Sequence, residues 1–157
     1  MKSFLLREKI PITKWGLIPD GVMYKGDIPE GYNLAIVPGP EYIILDVDRH
    51  NGKDGFKHIP FEILQELEET FNYTTKNNGK HYWLKYTGNK KLGNKTSGKS
   101  SDLRTEKGYV AYWHNEPIEQ CLHRIRRTSP QLNEWLEGLF CYTVKGKFKI
   151  KNNDNSK

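Results

Sequence analysis

Tyr42-Ile43-Ile44-Leu45-Asp46-Val47-Asp48 is a continuous apolar run that ends in two carboxylates one residue apart. Its β-branched residues and lack of alternation predict a strand buried on both faces. Side chains at i and i+2 of a strand share a face, so Asp46 and Asp48 project together. Two like charges held that close repel unless a proton or a cation lies between them. Magnesium binds through one or two carboxylates and keeps waters and substrate phosphates in its shell, so such a pair at a strand end suits phosphoryl or nucleotidyl transfer. Asp-x-Asp also occurs in calcium loops, sugar-nucleotide transferases and solvated strand ends. The EF-hand alternative fails: counted from Asp46, it needs an oxygen ligand at His50, Gly at Asn51 and Glu at Lys57.

Outward from this strand, Tyr32 to Val37 predicts a second strand joined to it by a Pro38-Gly39-Pro40 turn. Upstream, Pro11, Gly16, Pro19, Gly21, Gly26, Pro29 and Gly31 predict an irregular flank of turns and short extended pieces around Trp15. Downstream, Arg49 to Gly55 is a loop, and Pro60 precedes a helix in which Phe61, Leu64, Leu67 and Phe71, with Ile63, pack on the sheet. Tyr73 to Thr75 and His81 to Tyr86 are strands flanking the turn-rich Lys76-Asn77-Asn78-Gly79-Lys80. Thr87 to Ser101 carries Lys90, Lys91, Lys95 and Lys99 without an acidic residue, and is expected to be a mobile basic loop. Asp102 to Arg104 leads to a strand over Gly108 to Trp113. Helices are expected around Ile118, Cys121, Leu122 and Ile125, and from Pro130 with Leu132, Trp135 and Leu136 inward. A final strand is placed near Phe140 to Val144, and the polar 151–157 segment is expected to fray.

At 157 residues, 36% hydrophobic and 28% charged, the chain reads as one globular domain over residues 1–150. The net charge of +6 favours a polyanionic partner such as nucleic acid. Cys121 and Cys141 lack zinc-site spacing and read as reduced core residues of a cytosolic protein. No apolar stretch approaches the roughly 20 residues that span a bilayer, and the N-terminus has no signal-peptide core. The expected location is cytoplasmic, the host cytoplasm if the source is viral, with no membrane partner.

Three elements follow in order: Leu45-Asp46-Val47-Asp48, then Asn78-Gly79-Lys80-His81-Tyr82-Trp83, then Asp102-Leu103-Arg104 before Gly108-Tyr109-Val110. In this the sequence resembles the archaeo-eukaryotic primase superfamily, and more narrowly the primase-polymerase domain of viral and plasmid replication proteins. The likeness runs from about Lys9 to about Trp113. It implies an α/β (α+β) fold with a small mixed or antiparallel twisted sheet, flanking helices and an active site on the sheet's open face. The implied activity is template-directed synthesis from nucleoside triphosphates on single-stranded DNA, with a separate helicase or other replication protein as a further partner.

The resemblance assigns Asp46, Asp48 and Asp102 as catalytic ligands of Mg2+ or Mn2+, and Gly79, Lys80 and His81 to the nucleotide's phosphates. Arg104, on the same strand face as Asp102, is a further candidate for a phosphate or template. By ordinary strand and turn chemistry, His81 alone reads as a hydrogen-bonded structural residue and Asp102 as a turn residue. Lys90 to Lys99 and His123-Arg124-Arg126-Arg127 suit either a template backbone or solvent. Tyr82, Trp83, Tyr112 and Trp113 could stack bases, but strand alternation assigns about half of them to the core. Two departures from the family pattern stand out: Asn77 and Asn78 replace Ser-Gly, and Trp113-His114-Asn115-Glu116 replaces a Pro-rich segment. The alternatives are a non-catalytic nucleotide- or nucleic-acid-binding module of the same fold, and a metal-dependent nuclease.

Overall fold

A computed structural model describes residues 1–141. Its elements in chain order are β1 (Lys2–Arg7), β2 (Ile10–Pro11), β3 (Tyr32–Val37), β4 (Ile43–Val47), β5 (Arg49–His50), β6 (Lys53–Asp54), α1 (Phe61–Glu69), β7 (Asn72–Thr74), β8 (Lys80–Lys85), β9 (Lys95–Thr96), β10 (Ser101–Arg104), β11 (Val110–Ala111), β12 (Arg126–Arg127) and α2 (Pro130–Phe140). The fold is mixed α+β with largely antiparallel sheets, as the sequence implied. One sheet has the order β12-β8-β4-β10-β9, with β7 also paired to β8, and a second has the order β11-β3-β1-β2.

β4 lies at the centre of the larger sheet and is buried on both faces. Ile43, Leu45 and Val47 join Leu103, Ile63, Leu67, Leu132 and Leu136 in the core beneath the helices. On the other face, Ile44 shares a buried cluster with Trp83, Ile36 and Val110, which ties the two sheets together. Each such aliphatic side chain contributes roughly 1.5–3 kcal/mol by leaving water. α1 presents Ile63 and Leu67, one turn apart, to this core. α2 starts with Pro130 after Ser129, whose hydroxyl accepts from the Leu132 amide at 3.1 Å. Leu132, Leu136 and Phe140 form its buried face, with Trp135 only partly buried.

Several elements differ from the sequence reading. The N-terminal flank contains β1, which pairs along its whole length with β3 and forms part of the second sheet. Phe61 is 69% exposed, because α1 turns Ile63 and Leu67 inward instead. Phe71 falls beyond the end of α1, where its amide donates to the Arg124 carbonyl at 3.0 Å and its ring enters the inter-sheet cluster. The helix expected over Ile118 to Ile125 is two 3₁₀ turns, Ile118–Gln120 and Leu122–Arg124. The chain leaves them because Arg126 and Arg127 pair in parallel with Leu84 and Lys85, and the Arg126 amide donates to Thr70 Oγ1 at 2.9 Å. The basic segment is fastened: Leu92 is buried, the Gly93 amide donates to the Phe140 carbonyl at 2.8 Å, and β9 pairs with β10. Phe140 closes α2 and does not begin a strand; residues 142–144 of that expected strand, and the 151–157 tail, lie outside the described residues. Among the described residues no helix is long and apolar enough to cross a membrane.

Removing Leu45, which has no exposed surface, is expected to cost about 2–5 kcal/mol as Leu45→Ala, whereas Phe61→Ala should change stability by less than about 1 kcal/mol. Urea denaturation of the two variants checks both the central position of β4 and the orientation of α1.

Candidate active site

The pairing of β4 with its two neighbours decides what meets at its end. Asp46 is directly opposite His81 of β8 and directly opposite Asp102 of β10. Alternation sends Leu45, Tyr82 and Leu103 to the helix side and leaves Asp46, His81, Asp102 and Arg104 on the other face. Asp48 follows just past the strand, its amide donating to the Ser100 carbonyl and its own carbonyl accepting from the Gly55 amide, both at 2.8 Å. Asp46, Asp48, His81 and Arg104 line a cleft of about 430 Å³, whereas Asp102, paired with Arg104, stands behind its lining.

Of the other walls of this cleft, the sequence pointed only to Asn77, in the Gly-x-His element, and to Trp113, as a ring that could stack a base. Glu8 and Lys9 come from the β1–β2 turn, Lys76 and Asn77 from the β7–β8 turn, and Tyr109 and Trp113 from the β11 region. Trp113 is 38% exposed, while Tyr82, Trp83 and Tyr112 are core residues. The β1–β2 contribution was hidden because β1 itself was not recognised.

Two of the predicted phosphate-binding residues have different local roles. Lys80 points to the helix side, where its ammonium donates to Glu68 Oε1 at 2.7 Å and lies over the Tyr82 ring. It does not line the cleft, because the side chain preceding His81 in a strand must face the other way. Gly79 is needed for packing: a Cβ there would stand 2.2 Å from the Val47 carbonyl oxygen, so the glycine lets β8 close on β4. The turn before it is completed by Asn78, which takes the left-handed conformation at φ 67°.

His81 is buried and doubly held. Its Nε2 lies 3.4 Å from Asp46 Oδ1 and its Nδ1 lies 3.0 Å from the Tyr73 hydroxyl. Trp83 Nε1, which can only donate, gives its hydrogen to that same hydroxyl at 3.2 Å. Tyr73 is therefore free to donate to Nδ1, which leaves the proton of a neutral imidazole on Nε2, facing the cleft. Burial pushes the Tyr73 pKa far upward, so the hydroxyl keeps the proton this relay requires.

Of the three aspartates, only Asp102 is paired with a permanent cation among the described residues. Burial raises the Asp48 pKa first, and the neighbouring Asp46 and Asp102 charges raise it further. Arg104 is the cation at hand, and its Nη2 donates to Asp102 Oδ2 at 3.1 Å. The ligand atoms of Asp46, Asp48 and Asp102 do not form a set within 4.8 Å of one another; among the described residues only His114, Glu116 and Cys121 do. In that second cluster Arg124 lies 3.3 Å from Glu116 Oε1 and 3.1 Å from Cys121 Sγ, so a permanent cation already occupies it. Asp46 and Asp48 present hard oxygen donors to the cleft, a donor chemistry that fits a divalent ion, while Asp102 is paired with Arg104.

A family model for the N-terminal domain of bifunctional DNA primase/polymerase matches residues 9–135. The chain belongs to this family, and the match extends past Trp113 into α2. No curated protein matches the chain.

An acid whose folded pKa lies above its unfolded value penalises the folded state at neutral pH, and the penalty disappears as pH falls through the raised pKa. Asp48→Asn should accordingly raise the melting temperature of the metal-free protein at pH 7, by roughly 1–4 °C given its partial exposure, with a smaller gain at pH 4. Thermal melts should also show that Mn2+ stabilises the unaltered protein more than the variant.

Proposed function

We propose that this member of the DNA primase/polymerase family carries out template-directed nucleotidyl transfer from nucleoside triphosphates, with Asp46, Asp48 and Asp102 holding Mg2+ or Mn2+. The observation that carries the reading is the register that sets Asp46 between His81 and Asp102 at the mouth of a cleft with lysines in its walls. Bound divalent ions would align an attacking 3′-hydroxyl and neutralise charge on the triphosphate.

The chain's own groups divide the remaining work. Tyr73 and Trp83 fix the His81 ring so that Nε2–H donates to a phosphate oxygen once a nucleotide fills the cleft. Lys9 and Lys76, from opposite turns, supply the positive charge for the triphosphate that Lys80 cannot, being committed to Glu68 on the far side of the sheet. Arg104 holds Asp102 in the absence of other partners and is placed to exchange it for a phosphate. Trp113 offers an accessible ring for a base.

The Arg104–Asp102 pair also favours a second reading, in which nucleotide binds without synthesis because the third carboxylate stays neutralised. Nucleotide binding that depends on Mn2+ but yields no extension on a primed template would select it.

Asp46→Ala and Asp48→Ala are expected to lower nucleotide incorporation at least about 100-fold while leaving the circular dichroism spectrum unchanged. Lys80→Gln should retain incorporation within about threefold and lose no more than about 1 kcal/mol of stability, as a partly exposed ion pair allows. Labelled-nucleotide incorporation on single-stranded DNA, with and without a primer, checks all three. Normal incorporation by either aspartate variant would refute the assignment.

A further inference from the structure

The charged residues at the opposite end of β4 are mostly lysines. A second cleft of about 670 Å³ opens where β4 begins and where β8 and β10 end. Lys90, Lys91, Lys95 and Lys107 line it, against Glu106 as its one carboxylate. Tyr42, Ile43 and Leu92 add apolar lining. Among the described residues no carboxylate forms an ion pair with Lys90, Lys95 or Lys107.

These lysines are held together by the fold. Leu92 forms a bridge with Cys141 and the Gly93 amide is bonded to Phe140, which anchors the first lysine segment on α2. Asn94 Oδ1 accepts from the Thr105 amide at 3.1 Å, which draws the segment carrying Lys107 against the segment carrying Lys90 and Lys95. A Cβ at Gly108 would stand 2.3 Å from that same Asn94 oxygen, so the close approach depends on the glycine. Gathering like charges in this way is unfavourable unless an anion neutralises them.

We propose that this second cleft grips the phosphate backbone of a single-stranded nucleic acid, at a place separate from the aspartate cleft. Lys90, Lys95 and Lys107, which form no ion pair among the described residues, can take phosphates directly and need no metal ion. The apolar lining and the half-buried Tyr42 ring suit sugars and unstacked bases, which a single strand offers and a duplex conceals. The proposal deepens the polymerase reading and rests on it for the identity of the strand as template.

The test is fluorescence anisotropy of a labelled oligo-dT over a series of NaCl concentrations, without metal or nucleotide. The combined variant Lys90→Gln, Lys95→Gln, Lys107→Gln should reduce the slope of log K against log[NaCl] by about 2, since each single-strand phosphate contact contributes about 0.7. At 0.1 M NaCl this corresponds to roughly 10- to 100-fold weaker binding. A control variant with the same change in net charge, Lys14→Gln, Lys25→Gln, Lys57→Gln, should bind within about twofold of the unaltered protein. Equal weakening in the two triple variants, no weakening in either, no binding by the unaltered protein, or displacement by polyglutamate as effective as by oligo-dT would each overturn the proposal. Mn2+-dependent nucleotide binding should survive in the lysine variant and oligo-dT binding in Asp46→Ala. Loss of the polymerase reading, seen as no incorporation by the unaltered protein, therefore remains distinguishable from loss of this one.

Discussion

Asp46 faces Asp102 directly across the β4–β10 pair, an arrangement that electrostatics opposes and the hydrophobic core enforces. A one-residue slip of β4 would remove the clash, but it would carry Asp46 into the core beneath the helices and turn Ile43, Leu45 and Val47 toward the cleft. Several buried aliphatic side chains weigh against one partly solvated charge repulsion, so the register is not in doubt energetically. Gly79 reinforces it by letting β8 close on the Val47 carbonyl. The acidic face is thus imposed by apolar residues on the opposite side of the same strands.

His81 extends the same principle into the space between the sheets. Its imidazole is oriented by Tyr73, Tyr73 accepts from Trp83, and the Tyr73 ring packs edge-on against Tyr112 and stacks with His114. A ring fixed from behind presents its Nε2 to the cleft without having to be ordered at the moment a ligand arrives. The surrounding aromatic cluster therefore positions one polar group as well as joining two sheets.

How much of this was legible in the sequence varies with how local the cause is. β4, β8 and the turn at Asn78 were readable because apolar runs and Asn-Gly chemistry act over a few residues. β1 was not: Phe4, Leu5 and Leu6 are all buried, so Lys2–Arg7 shows no alternation, and the Gly- and Pro-rich stretch after it dominated the reading. The apolar spacing of Ile118, Cys121, Leu122 and Ile125 pointed to a helix, but the Arg124 carbonyl accepts from the Phe71 amide and the Arg126 amide donates to the Thr70 hydroxyl, both remote in sequence, and these draw the chain into an extended path. Lys80 illustrates the same limit at the cleft. Its charge and proximity to His81 suggested a phosphate contact, whereas strand alternation and Glu68 of α1 place it on the other face.

The two clefts divide the chain's charge by its topology. β4 and β8 are antiparallel, as are β4 and β10, so one end of the sheet gathers Asp46, Asp48 and the β7–β8 turn while the other gathers Pro40 to Ile43, Tyr86 and the turn after β10. Three residues of β4, a rise of ~10 Å, separate Ile43 in one cleft from Asp46 in the other. A net charge of +6 is consequently no measure of the charge at either place: one end sets aspartates among lysines and Arg104, and the other gathers four lysines against Glu106. A polyanion drawn to the basic end would be held near the aspartates without having to approach them.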